Sequence, residues 1–86
     1  MNPVLSEIQF QQYANLWKMS QMASNPQEFL VNELSKLPQN SNAGAILKLL
    51  RENNGNFEKT FYDYINQQGG NAQQELLKLQ QLINQK

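Results

Sequence analysis

Helix start and stop signals recur so closely along this chain that only short helices fit between them. The stretch from residue 52 to 71, ENNGNFEKTFYDYINQQGGN, is the densest case. It reads as a stop at Asn53-Asn54-Gly55, a start at Asn56, an aromatic-rich segment, a stop at Gly69-Gly70 and a new start at Asn71. Glycine ends helices because it accepts the left-handed conformation that closes the last turn. Asparagine begins them because its side-chain oxygen takes up an unpaired first-turn N–H.

The same grammar runs through the rest of the chain. Asn2 and Pro3 provide a cap and a first helical residue, with Ser6 and Gln9 as an alternative start one turn later, and this first and longest helix is expected to reach about Ala23. Asn25-Pro26 repeats the device, Glu28 is placed to complete a capping box, and Pro38 ends that segment by disfavouring helical geometry in the residue before it. A third helix carries Ala43, Ile46, Leu47 and Leu50 at helical spacing, with Gly55 as its left-handed terminator. Asn56 opens a fourth, and Asn71 with Gln74 makes a capping box for a fifth whose seam is Ala72, Leu76, Leu79 and Ile83. No stretch alternates as a strand would. The expected fold is all-α: one domain over residues 1–86, a compact bundle of about five helices.

Composition narrows function by subtraction. Histidine and cysteine are both absent, which removes the usual nucleophile–base pairs, disulfides and most zinc or copper sites. The acidic residues do not cluster as a calcium loop requires: Glu58 and Asp63 are five apart on one helix, as are Glu28 and Glu33, so each pair diverges. NNGN and QGGN lack the spacing and the lysine of a phosphate loop. The expectation is a non-enzyme with no cofactor, no metal and no small-molecule substrate. Seven basic and seven acidic residues cancel, and no basic run offers a footprint for nucleic acid or anionic lipid; Lys48 with Arg51, and Lys36, are the only hints of one. The polar surface is instead built from 12 Asn and 13 Gln. Neither a membrane span nor a secretory signal is present, so a cytoplasmic, soluble protein is expected.

What remains is contact through apolar surface. On the first helix Leu5, Ile8, Leu16, Met19 and Ala23 share one face, while Phe10, Tyr13, Ala14 and Trp17 form a second stripe at i, i+3, i+4 and i+7. Either the helix lies across the bundle and buries both stripes, or one of them, by preference the aromatic one, meets a partner or a second copy. Aromatic side chains favour such contacts because they join large apolar area to a polar tip. On the fourth helix Phe57, Phe61, Tyr64 and Ile65 read as core and Tyr62 lies off that face. The candidate partner-binding residues are therefore Phe10, Tyr13, Trp17 and Tyr62. Leu77 and Leu82 fall outside the last helix's seam and would widen it if that helix met another chain.

Two resemblances bear on this reading. SNAGAILKLLRENNGNFEKTFYDYIN is similar to the second and third helices of ubiquitin-associated domains, joined by an Asn-Gly-Asn-x-Glu turn, but LSKLPQN stands where that family's Met-Gly-Phe-type binding loop would be. The pieces Asn25-Pro26, Phe29-Leu30, Gly55-Asn56, Phe61-Tyr62 and Gly69-Gly70-Asn71 in an amide-rich chain resemble small proteins encoded by phages of Gram-positive bacteria. That resemblance implies a virion-associated or assembly accessory protein, in the host cytoplasm or the virion. The alternatives are a small inhibitor of a host or defence enzyme, and a helical nucleic-acid-binding or ubiquitin-associated-like adaptor domain.

Overall fold

The computed structural model describes residues 4–84 and contains five α-helices: α1 (Glu7–Ser20), α2 (Pro26–Ser35), α3 (Asn42–Glu52), α4 (Phe57–Gln67) and α5 (Ala72–Ile83). The all-α expectation holds, and α1 is the longest helix. Each helix packs on the next, and α5 returns to α1, so the five close a circuit around one core. That core runs from Leu5 and Phe10 through Leu34, Ile46 and Leu50 to Phe61, Ile65 and Leu79.

The helix boundaries follow the caps, with corrections. α1 starts from Ser6: its hydroxyl accepts from the Gln9 N–H at 3.1 Å, and the Gln9 side chain accepts from the Ser6 N–H at 3.2 Å. The expected start at Asn2-Pro3 lies outside the described residues, but Val4 to Ser6 are not helical, so the alternative start at Ser6 is the one the fold uses. α1 stops at Ser20, short of Ala23, where the buried Ser20 hydroxyl bonds back to the Trp17 carbonyl at 2.6 Å. Asn25 caps α2 through the Glu28 N–H at 3.1 Å, but the Glu28 carboxylate accepts from the Asn25 side-chain amide and not from its backbone, so the box takes a different form. α2 ends at Ser35, before Pro38 can act, and the Gln39 side chain donates to the freed carbonyls of Leu34 and Leu37. At Asn71 the oxygen accepts from the Gln74 N–H at 3.1 Å, a simple cap in place of the expected box, since the Gln74 side chain makes no return bond to the Asn71 N–H.

α3 and α4 both end in a Schellman motif. After α3, Gly55 N–H donates to the Leu50 carbonyl at 2.8 Å and Asn54 N–H to that of Arg51 at 3.2 Å. After α4, Gly70 N–H donates to Ile65 at 3.0 Å and Gly69 N–H to Asn66 at 3.1 Å. The left-handed position after α4 is Gly69 (φ +81°), whereas after α3 it is Asn54 (φ +56°), with Gly55 following at φ +85°. The sequence pattern assigns that place to Gly55 alone; asparagine tolerates it because its short side chain is compatible with the left-handed region.

Gly44 sits in the first turn of α3, against the backbone of the α2–α3 loop. A Cβ there would collide with the Gln39 carbonyl oxygen, a main-chain atom that cannot swing aside. In an open helix Gly→Ala gains about 1 kcal/mol. Here Gly44→Ala is expected to reverse that sign and lower unfolding free energy by about 1 kcal/mol or more, the scale of an overpacked site, as measured by urea denaturation; a stabilised variant would show that the loop does not hold its position.

Candidate functional site

The aromatic stripe of α1 is core. Phe10 and Tyr13 are buried, as is Trp17 at 7% exposure. Phe10 meets Phe61 edge-on with centroids 6.0 Å apart, Phe61 stacks on Phe57 at 6.3 Å, and Phe57 stacks on Trp17 at 5.6 Å. Phe57 and Phe61 stand one turn apart on α4, so α4 supplies the inner rungs of a four-ring ladder and α1 its ends. Phe10, Tyr13 and Trp17, expected to meet a partner, are thus enclosed within the chain itself: Phe10 and Trp17 pack on the rings of α4, and Tyr13 is held at its hydroxyl by Asn42 of α3. Of the four candidates, only Tyr62 reaches the surface, at 39% exposure.

The aliphatic stripe divides. Leu5 precedes the helix and folds into the core, and Leu16 is half-buried against it. Ile8 is 82% exposed, and Met19 is also exposed. Eleven residues apart, these two fall within about 20° around the helix axis. Met22, in the turn after α1, is 77% exposed. Between Ile8 and Met19 lie Gln11, Gln12 and Asn15, which with Glu7 and Ile8 line a shallow open groove. Sequence periodicity did put Ile8 and Met19 on one face. It gave no means of deciding which stripe the bundle would claim, since that depends on where α4 delivers its rings.

A smaller exposed spot joins α4 and α5. The Gln80 side chain donates to the Glu58 carboxylate at 2.7 Å, so α5 runs back along α4 from the Gly69-Gly70 turn. Tyr62 lies one turn past Glu58 and the exposed Leu77 lies three residues before Gln80, which puts both along this helix pair.

The polar groups are engaged structurally. Asn53, beyond the end of α3, donates to Thr60 Oγ1 at 3.3 Å and to the Asp63 carboxylate at 3.2 Å, while Lys59 donates to Asn53 Oδ1 at 3.2 Å and pairs with Asp63 at 3.4 Å. This network fixes α4 to the end of α3. Glu58 and Asp63 thus turn to different neighbours, as their spacing predicts. Lys36 pairs with Glu33 at 2.7 Å, and Lys48 lines a small cleft together with Glu52. Lys78 stands 4.6 Å from the centroid of Phe10 and 3.7 Å from Glu7, closing α5 onto α1. Among the described residues no three carboxylates gather as a metal site, and no helix is long and apolar enough to cross a membrane.

Burial raises two phenols, Tyr13 and Tyr64. Tyr13 donates to Asn42 Oδ1 at 2.6 Å, and burial, with nearby Tyr64 adding to it, pushes its phenol from 10.0 up to about 12.

No match to a family model, a curated protein or a solved structure was found, so the site rests on its own geometry.

The ladder and Tyr13 each give a prediction. Trp17→Ala should cost about 3–5 kcal/mol of unfolding free energy, the range for a large buried ring, while exposed Ile8→Ala stays within about 0.5 kcal/mol; guanidinium denaturation of the two separates core from surface. Because the folded state holds the Tyr13 proton more tightly than the unfolded one, that stabilisation is present below pH 10 and is lost as pH rises toward about 12. Tyr13→Phe should therefore flatten the alkaline fall of stability in melts across that window, and an unchanged pH profile would show that Tyr13 ionises normally.

Proposed function

We propose that this chain is a non-catalytic binding protein that meets another protein through the outer face of α1 and the turn that follows it, with Ile8 and Met19 on the helix and Met22 in the turn as its apolar contacts. The observation that carries this reading is the exposure of Ile8 at 82% on a helix whose opposite side already fills the core. Burying a side chain of that size is worth about 1.5–3 kcal/mol, which is the scale of an interface hot spot. The amides of Gln11, Gln12 and Asn15 supply hydrogen-bonding groups around it without the desolvation cost of charges. Tyr62 with Leu77 is the secondary contact on the α4–α5 side.

Sequence resemblance alone supports a phage setting, in which the contact would serve a virion component or an assembly accessory. The absence of histidine and cysteine supports the non-catalytic part. An electrically balanced chain of low charge fits binding that varies little with salt.

The test is a surface variant that leaves the ladder intact. Light scattering over a concentration series reads association between copies, and affinity capture followed by mass measurement reads a larger partner. Ile8→Asp with Met22→Asp should keep the wild-type melting temperature and weaken the association by about tenfold or more, as loss of a hot spot does. Association untouched by the pair, no association in either assay, or turnover of a substrate by the purified chain would contradict the proposal.

A further inference from the structure

Asn54-Gly55 is the one Asn-Gly pair in the chain. This dipeptide is the most prone to spontaneous deamidation, because glycine has no side chain to hinder attack by its own amide nitrogen. The reaction needs no cofactor. The Gly55 backbone nitrogen gives up its proton and bonds to the Asn54 side-chain carbonyl carbon. The carbon–nitrogen bond of the carboxamide breaks and ammonia leaves with a proton, giving a five-membered imide. Water then opens the ring at one carbonyl or the other, leaving aspartate or isoaspartate.

The fold opposes the first step in two ways. The attacking nitrogen belongs to the central bond of the α3 Schellman motif, with its N–H donated to the Leu50 carbonyl at 2.8 Å. Gly55 also lies so close to the Gln27 side chain of α2 that a Cβ there would overlap it, so that side chain covers one side of the residue. The Asn54 side chain itself is exposed, held in a left-handed backbone at φ +56°. Reactive dipeptide and protected nitrogen therefore coincide at the α3–α4 corner.

We propose that Asn54 is a latent self-modification site that reacts only when this corner opens, so that modification records local opening of the fold. Opening must free the Gly55 N–H before the nitrogen can attack, and the observed rate is the rate in the open chain multiplied by the fraction of time spent open. The product does not restore the corner. Isoaspartate lengthens the main chain by a methylene between Asn54 and Gly55, pulling the Gly55 nitrogen from Leu50. Aspartate places a negative charge at the C-terminal end of α3, where the helix dipole disfavours it. Either product also adds an acidic group beside the Asn53–Lys59–Asp63 network. Closing would thus become harder after each event, and the change runs one way.

The test compares the full chain with a synthetic peptide of residues 49–59, both held in the same mildly alkaline buffer and followed by peptide mapping. The folded chain should modify at Asn54 about tenfold or more slowly than the peptide, with the gap closing in denaturant. Equal rates in folded chain and peptide, or another asparagine reacting first in the denatured chain, would overturn the proposal. Asn54→Gly keeps a residue suited to the left-handed position and should leave that part of the map unchanged with time. Modified chain separated by anion exchange should melt below the unmodified chain; identical melting would show that the corner does not depend on the intact residue.

Discussion

The ladder Phe10–Phe61–Phe57–Trp17 holds together two helices that are not neighbours in the circuit of backbone packing. α1 touches α2 and α5, and α4 touches α3 and α5; the rings bridge the space between α1 and α4. Large rings are needed there because short aliphatic side chains would leave a void, and dense interiors make voids costly. The remaining helices act as a frame that keeps these rings in register. Leu34, Ile46, Leu50 and Leu79 fill around them, and the Asn53 network fixes the start of α4 so that Phe57 and Phe61 arrive at the right height.

This use of aromatic area inside determines what is left outside. A chain of this size has a limited supply of large apolar side chains, and most are enclosed. The surface that remains is a coat of amides and a few unsheltered aliphatic and thioether groups, with Ile8 and Met19 on one face of α1 and Met22 in the turn that follows it. Amides can hydrogen-bond a partner in either direction, and they are cheaper to desolvate than charges. On the proposed reading, binding and folding draw on opposite faces of the same helix, and a substitution on one face should leave the other largely intact.

The helical architecture was legible in the sequence because caps are local. Asn25, Asn56 and Asn71 each bond to the backbone three residues on, within the reach of a short motif. The core face of α4 was legible too, since Phe57, Phe61, Tyr64 and Ile65 form one unambiguous stripe. The face of α1 was not. Two apolar stripes compete on that helix, and helical spacing scores both; the choice between them is made by rings forty and more residues away in the chain. The end of α3 shows the same limit at shorter range. Asn54 and Gly55 both accept a left-handed conformation, and both have it. Tyr62 was separable from the core because only one stripe on α4 contains buried neighbours.

Native-state hydrogen exchange tests most directly whether the ladder makes α1 an integral part of the fold. If the rings bind α1 to α4, amides in the middle of both helices, such as Ala14 and Phe61, exchange through the same whole-molecule opening and show equal opening free energies that fall together in denaturant. If α1 amides open at a free energy lower than those of α4 by more than about 1–2 kcal/mol, α1 is a detachable flank, its aromatic stripe is available to partners, and the ladder is not what unites the two helices.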